Sequence, residues 1–444
     1  MKTLRKYSLL MICLLALNIA NAQTVNSFSV QQAADYAKKN SVQVKNALLD
    51  ILIQKQTNRD VTSIALPQVN GSASLTDYLQ IPTTLLPGQI VGQPAGTYVP
   101  VKFGTKWNAN AGASLSQILF DGQVFIALKA RNGTVSYMEQ IEKLTEENII
   151  ANVHKVYYQL VAGKIQIQLL DANIGRLEKL KHDIQVMYDN GFAERVDIDK
   201  ITVQVANLQT EKLKANNMID NGYSGLKMLM GMPIKDSLVL TDTLDDNKIR
   251  EGVLEASEYK YTDRKDFQIS ETANKLNTLN VRRYKLSQLP SLSLVGNYST
   301  QAQRSTFDFF GKGDWFSTSY LGLQIRVPIF NGFAIKARTQ KARLELQKSK
   351  NQTEALKITI DAEVEKAKDS YIAAIASMDF QKKNMELAEK VYGQTKKKYE
   401  IGTGDATAIN AAQVDLKTAQ TNYITALSEA IIAKIDFLKA TGKL

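Results

Sequence analysis

An internal duplication is the feature of this sequence that most limits how it can fold. Residues around one glycine recur 211 positions later in the same order: Tyr188, Gly191, Ile198, Val203 and Gln209 return as Tyr399, Gly402, Ile409, Val414 and Gln420. Upstream, Leu115–Gly122 is echoed by Ile325–Gly332 at an offset of 210, and Leu66-Pro67 by Leu289-Pro290 at an offset of 223. Solenoid repeats span only about 20–50 residues. The pattern therefore indicates one large unit that was duplicated and fused.

The first residues have the pattern of a cleavable export signal. A basic start is followed by an apolar stretch over residues 9–16 and by small residues over 20–22. We predict that 1–22 is a signal peptide and that the mature chain begins at Gln23. The single cysteine, Cys13, lies inside this segment after a bulky residue, so we expect no lipid anchor, no disulfide and no thiolate metal site.

The distribution of proline predicts long helices. None of the eight prolines falls within residues 101–232 or 329–444, and a proline inside a helix costs about 3 kcal/mol. The second stretch carries a heptad-like apolar pattern, formed by Leu356, Ile360, Val364, Ala367, Tyr371, Ala374 and Met378. We predict a helix over about 331–400, a break at Gly402, and a second helix to about residue 440. The first half repeats this arrangement around Gly191, so each half contains a long antiparallel helical hairpin.

Elsewhere the pattern changes to strict alternation of apolar and polar residues. We predict four strands, each with one apolar and one polar face, at about 67–79, 106–120, 290–302 and 317–329. Such strands are typical of transmembrane β-barrels. The loop 80–105 is rich in proline and glycine, whereas the loop 303–316 is aromatic. Its aromatic residues form either an interfacial girdle or a small loop cluster: Phe307, Phe309, Phe310, Trp315 and Phe316.

Four strands cannot close a barrel, because bacterial single-chain barrels have at least about eight. Open sheet edges are not tolerated in hydrocarbon. We therefore expect several copies to pool their strands around one axis, with the helical hairpins ringing the same axis. The alternative is a soluble helical bundle with two surface hairpins.

The order of these motifs resembles that of the TolC-like outer membrane efflux protein family. The resemblance covers nearly all of the mature chain and rests on these segments: Ser29–Ala33, the two Leu-Pro pairs, Leu226–Pro233 followed by Leu238–Leu240, Val327–Gly332 and Tyr399–Gly404. It implies an α+β membrane protein, mostly α, whose homotrimer forms a 12-stranded β-barrel continuous with a periplasmic α-helical barrel. The implied division is signal peptide 1–22, repeat 23–220, equatorial connecting segment 221–255 and repeat 256–444.

The resemblance also implies a function and partners. The protein would be a passive export duct of a tripartite efflux or type I secretion system, carrying drugs, small molecules or polypeptides. It would lie in the outer membrane of a Gram-negative bacterium, in contact with outer membrane lipid. It would also contact a periplasmic adaptor (membrane fusion) protein and an inner-membrane transporter of the RND, ABC or MFS class. Nucleic acid is not expected despite the formal net charge of +11. The alternative is a periplasmic coiled-coil scaffold or adaptor without a membrane barrel.

A gate is implied at the hairpin tips, over residues 188–200 and 399–412. The candidate gate residues are Gly191, Arg195, Asp197, Asp199, Tyr399 and Gly402. Asp197 matches an acidic position of the family and Tyr399 a tyrosine that helps to hold the closed state. Ala408 and Ala411 stand where well-known members are acidic. The two aspartates have a simpler interpretation as favourable charges at a helix N-terminus.

Two further expectations concern the barrel and catalysis. Arg326, on a polar strand face, either lines the lumen or is held in a salt bridge. An enzyme is not expected, because His154 and His182 are far apart and no nucleophile or phosphate-binding motif is present. We also expect no cofactor and no metal.

Overall fold

The structure is a computed structural model that describes residues 26–251, 258–311 and 313–444. The predicted signal peptide lies outside the described residues, as do 252–255 of the predicted connecting segment. Most of the described chain is helical, as predicted. Its helices are α1 (Val30–Asn40), α2 (Val42–Ser63), α3 (Gly122–Asp189), α4 (Arg195–Met230), α5 (Asp246–Arg250), α6 (Lys265–Leu286), α7 (Ala334–Glu400) and α8 (Ala406–Ala440).

Three separate sheets are found in these described residues. The strands are β1 (Asn26–Phe28), β2 (Gln68–Asp77), β3 (Thr83–Pro87), β4 (Tyr98–Lys102), β5 (Trp107–Phe120), β6 (Leu238–Leu240), β7 (Ser291–Arg304) and β8 (Phe316–Arg326). The main sheet is antiparallel with the order β2-β5-β7-β8, so β2 and β8 are its edges. Strands β3 and β4 pair with each other, and β1 pairs with β6 in parallel. Among the described helices, none combines the length and apolar character needed to cross a bilayer.

Contacts divide the chain into two compact units. The first unit comprises residues up to Asp50, Met138–Glu271 and Gln352–Leu444. The second unit comprises Ile51–Tyr137 and Thr272–Asn351, and it contains the main sheet. Each unit draws residues from both halves of the sequence, because the duplicated halves contribute equivalent elements to each.

The register of the main sheet places most apolar residues of the four strands on one face. Ala73 pairs with Ala111, which pairs with Thr300, and Leu294 pairs with Leu323. Polar residues pair in the same way on the other face, for example Ser74 with Asn110. Several large side chains on the apolar face are more than half exposed in the single chain: Val69, Leu75, Leu321, Leu323 and Ile325.

The strand pairing of the main sheet follows the duplication seen in the sequence. In the first hairpin Leu75 pairs with Ala109, and in the second Tyr298 pairs with Ser319. Tyr298 lies 223 residues after Leu75, and Ser319 lies 210 residues after Ala109. These are the two offsets found between the repeated motifs. The two β-hairpins are therefore equivalent in pairing as well as in sequence pattern.

The predicted heptad seam of α7 is confirmed. Ile360, Val364 and Met378 are buried, and the intervening seam residues pack beside them against α8. The predicted helix over 331–400 begins at Ala334 and ends at Glu400. Residues 331–333, which were predicted to be helical, form the corner between β8 and α7, where Gly332 and Phe333 both have positive φ angles.

The two loops at the tips of the main sheet are more structured than their composition predicted. Residues 83–102 form the hairpin β3–β4 around a short 3-10 turn at Gly88–Val91. In the aromatic loop, Phe307 stacks edge-on with Trp107, Phe309 and Phe310 at centroid distances of 5.1–6.3 Å. The aromatic residues therefore form a loop cluster, and their placement at a membrane interface stays a prediction.

One buried tyrosine joins the start of the described chain to its middle. The Tyr157 hydroxyl donates to the Phe28 carbonyl (2.8 Å) and accepts from the backbone N–H groups of Thr241 (3.1 Å) and Asp242 (3.0 Å). Burial raises the pKa of Tyr157. Asp242 in turn accepts from the Val30 N–H at the first turn of α1 (2.7 Å). This network fixes the strand pair β1–β6 against α3.

We expect Tyr157→Phe to destabilise the first unit by about 2 kcal/mol, because three backbone groups lose their hydrogen-bond partner. Thermal unfolding of the purified protein, followed by circular dichroism, measures the change. Tyr158→Phe is the matched control, since the neighbouring hydroxyl has no such bonds among the described residues. Equal unfolding midpoints for the two variants would contradict the role assigned to this network.

Candidate functional site

Both helical hairpins turn at a glycine that takes a left-handed conformation. After α3, Gly191 has φ 81°, and the Phe192 N–H donates to the Met187 carbonyl at 2.8 Å. After α7, Gly402 has φ 75°, and the Thr403 N–H donates to the Lys398 carbonyl at 3.0 Å. A side chain at such a φ angle is disfavoured, so glycine is the residue that ends these helices with this bond.

The helices that leave the two tips begin differently. The Asp405 carboxylate accepts a hydrogen bond from the Thr407 N–H at 3.1 Å and caps α8. Glu194 occupies the equivalent position before α4, and its side chain makes no capping bond. Of these two helices, therefore, only α8 has a side-chain cap at its first residues.

The two tips pack against each other through an apolar cluster within the first unit. Tyr399 is 8% exposed and contacts a cluster formed by Leu177, Leu180, Ile184, Ile198, Ile201 and Ile409. Its hydroxyl donates to the Met187 sulfur at 3.4 Å. Burial raises the pKa of Tyr399. The tyrosine therefore stays neutral at physiological pH and acts by packing.

The carboxylates at the first tip are paired within their own helix. Asp197 lies 3.6 Å from the Lys200 ammonium, and Asp199 lies 3.4 Å from the Arg195 guanidinium. Pairs this exposed contribute about 0.2–1 kcal/mol. Each aspartate has a cation next to it, which weakens the negative field that the tip presents.

The second tip has alanine at the two positions where the resemblance implies acidic residues. Ala408 and Ala411 are exposed, whereas their neighbours Ile409 and Ala412 are buried in the seam. Acidic side chains at these two positions would point away from the seam, and alanine leaves both positions small and uncharged.

A buried polar layer above the tips was not predicted from the sequence. The Asn173 side chain is 1% exposed and receives hydrogen bonds from Gln413 and Arg176, each at 2.6 Å. Its own amide donates to the Gln420 side chain at 3.1 Å. Polar residues at positions of the apolar seam are the signal that would have found it. Buried amides of this kind fix the register of packed helices.

Arg326 belongs to the second unit, whereas the tip residues belong to the first. It is the last residue of β8, it pairs in register with Ser291, and it belongs to the polar face. Its side chain is exposed and has no salt bridge among the residues that the structure describes. The salt-bridge alternative is therefore not found in the single chain.

No metal centre is found in the described part of the chain, where no group of three His, Cys, Asp or Glu residues has suitable geometry. Burial lowers the pKa of His154, which lies in the core of the first unit. His182 lies almost eight helical turns further along α3. The two histidines therefore do not form one site.

Comparison with known proteins supports the resemblance seen in the motifs. The family model for outer membrane efflux proteins matches residues 264–443, within the second repeat. The outer membrane protein TolC of Vibrio cholerae is 19% identical over 340 residues, covering 76% of this chain and 77% of TolC. The alkaline protease secretion protein AprF of Pseudomonas aeruginosa is 22% identical over 342 residues, covering 74% of this chain and 67% of AprF.

The fold is also shared with a solved outer membrane protein. The crystal structure of VceC from Vibrio cholerae matches with a TM-score of 0.72 at 15% identity, covering 93% of this chain and 96% of VceC. The family match covers the helical hairpin of the second repeat, and the structural match extends over both repeats. The chain therefore resembles TolC-like outer membrane efflux proteins in sequence and in fold, in agreement with its motifs.

Proposed function

We propose that three copies of this chain form a passive export duct in the outer membrane, with a 12-stranded barrel continuous with a helical tunnel. The observation that carries the proposal is the main sheet, which has one apolar face, one polar face and two edges. The helices α3 and α7, of 68 and 67 residues, are each about 100 Å long. That length suits a tunnel through the periplasm.

The two faces of the sheet suit a barrel wall. In water the exposed leucines of the apolar face would be costly, and in lipid they are stabilised. The polar face would then line an aqueous lumen, with Arg326 at its periplasmic end. The chain would have no catalytic role, and transport would depend on partners that supply energy.

The duplication gives a register for the contact between copies. Within one chain β5, the second strand of the first hairpin, pairs with β7, the first strand of the second. If copies follow the same rule, β8 of one copy pairs with β2 of the next. Within one chain Ser114 pairs with Asn297. The residue 210 positions after Ser114 is Gln324, and the residue 223 positions before Asn297 is Ser74. The rule therefore places Gln324 of one copy opposite Ser74 of the next. The same rule places Leu323 opposite Leu75, so polar meets polar and apolar meets apolar.

The gate would lie at the hairpin tips and would be held mainly by packing. Tyr399 is buried in the cluster that joins the two tips, and the turns at Gly191 and Gly402 set the tip geometry. Asp197 and Asp199 would contribute only a weak negative ring, because Lys200 and Arg195 pair with them. The exposed tips would meet a periplasmic adaptor, and through it an inner-membrane transporter of an efflux or type I secretion system.

Ala111→Lys should block assembly in the outer membrane, because it puts a charge on the apolar face at a cost of about 2–4 kcal/mol near the bilayer centre. Asn110→Lys is the matched control, since the adjacent side chain lies on the polar face. Membrane fractionation of a Gram-negative host measures the amount of each variant in the outer membrane. Equal amounts would show that the apolar face does not meet lipid.

Cysteines at Ser74 and Gln324 should cross-link neighbouring copies into covalent trimers that are visible on non-reducing gels. A bond within one chain is excluded, because β2 and β8 are three strand spacings apart, about 14 Å, whereas a disulfide needs Cα atoms within about 7 Å. The control pairs Gln324→Cys with Asn70→Cys, four residues out of register. Cross-linking of the control alone would refute the register.

Tyr399→Ala should loosen the closed tip, because removing a buried ring costs about 3–5 kcal/mol in similar cores. We expect higher single-channel conductance in planar bilayers and greater sensitivity of cells to large antibiotics. Tyr399→Phe is the control, since it keeps the ring and removes only a weak bond to sulfur. Unchanged conductance in Tyr399→Ala would remove Tyr399 from the gate.

A further inference from the structure

A basic depression lies in the second unit, between the end of α6 and the start of α7. Its volume is about 470 Å³, and it is lined by Lys285, Gln288, Lys336, Thr339, Gln340 and Arg343. The lining contains three cations and no carboxylate. None of the three cations has a salt bridge among the described residues. We call this surface the basic pocket.

The basic pocket belongs to a strongly basic segment. Residues 334–350 carry six basic side chains and one acidic one, Glu345, which pairs with Lys341 at 3.8 Å. The corresponding corner of the first repeat is different. There Arg131 donates to the Thr62 hydroxyl at 2.7 Å and to the Leu128 carbonyl at 2.9 Å. Neutral acceptors thus hold the Arg131 guanidinium in place, whereas the three cations of the basic pocket surround an open depression.

An exposed apolar corner connects the basic pocket to the main sheet. Ile329 is 93% exposed, Phe330 76% and Phe333 69%. These residues follow directly on the apolar face of β8, which ends with Leu323 and Ile325. Phe333 has φ 64°, a conformation that bulky side chains rarely adopt. The backbone therefore holds an aromatic ring outward at a conformational cost.

We propose that the basic pocket binds the phosphate headgroup of an anionic phospholipid in the periplasmic leaflet of the outer membrane, with the acyl chains against the apolar corner. The inference rests on the proposed function, because it needs the apolar face of the main sheet to meet lipid. The charges complement a phosphate diester, and Gln288, Thr339 and Gln340 add hydrogen-bonding groups around it.

The combination of surfaces selects lipid over a soluble anion. A free phosphate would use the cations alone and would leave the aromatic corner in water. A phospholipid can contact both surfaces, because one molecule carries a charged headgroup for the basic pocket and acyl chains for the apolar corner. Basic residues beside a membrane attract anionic lipid with an energy that grows with their number.

The test compares lipid retention by the full-length purified protein and by two triple variants. The pocket variant is Lys285→Gln, Lys336→Gln, Arg343→Gln. The control variant is Lys368→Gln, Lys383→Gln, Lys390→Gln, which removes the same charge from exposed positions further along α7 that have no salt bridge within the described part of the chain. Native mass spectrometry counts phosphatidylglycerol or phosphatidylcholine bound from mixed micelles.

We expect the wild-type protein and the control variant to retain phosphatidylglycerol over phosphatidylcholine. The pocket variant should bind phosphatidylglycerol at least about tenfold more weakly. Higher salt should weaken binding to the wild type, and this measurement does not depend on how well a variant folds. Excess inorganic phosphate should compete poorly.

Three results would overturn the proposal. Equal phosphatidylglycerol retention by all three proteins would show that the basic pocket is not a lipid site. Full displacement by inorganic phosphate would assign the pocket to a soluble anion. Loss of trimers in the pocket variant with lipid retention per chain unchanged would assign it to a contact between copies. A wild-type protein recovered from the periplasm without lipid would instead refute the proposed function, and this inference with it.

Discussion

Unpaired backbone groups along β2 and β8 are the constraint on which the rest of the structure depends. Each edge leaves one row of N–H and C=O groups without a strand partner in the single chain. In hydrocarbon each such group costs several kcal/mol, and in water the exposed leucines of the apolar face favour burial. Neither solvent suits the isolated sheet. In the proposed trimer, pairing of β8 with β2 of another copy would satisfy both edges at once, and the duplicated register would keep the apolar residues of successive copies on one continuous face.

The helical hairpins depend on a second balance, between apolar packing and buried polar groups. The seam of α7 and α8 is largely apolar, and Ile360, Val364 and Met378 are buried in it. Asn173 of α3 forms a polar layer with Gln413 and Gln420 of α8, and its hydrogen bonds to both glutamines form only when these helices are in register. Such a layer stabilises less than leucine would, and it disfavours sliding of one helix along another. The layer therefore keeps the turns at Gly191 and Gly402 aligned along the helix axes. The packing around Tyr399 requires this alignment.

The sequence predicted those elements whose signals are local or periodic. Proline-free heptads predicted α7, and strict alternation predicted the strands of the main sheet. The hairpin β3–β4 was missed, because its proline and glycine content resembles a loop while its pairing connects residues such as Leu85 and Pro100. The Asn173 layer was missed for a similar reason, since Gln413 is 240 residues away in the chain. At the tip, Asp197 and Asp199 were identified, but their neutralising partners depend on side-chain conformations that spacing alone does not determine.

The asymmetry between the two repeats bears on how a ring of copies would sit in its membrane. Duplication gives each chain two strand-to-helix corners, and the second carries the basic pocket together with the exposed Phe330 and Phe333. At the first corner Arg131 is bound to its own helix and to Thr62. In a ring of three chains, three corners that carry the basic pocket would therefore alternate with three corners in which Arg131 is already hydrogen-bonded within its own chain. Anionic lipid would gather at alternate corners, so that half of the strand-to-helix junctions are fixed to the leaflet and the others stay free to move with the helices below.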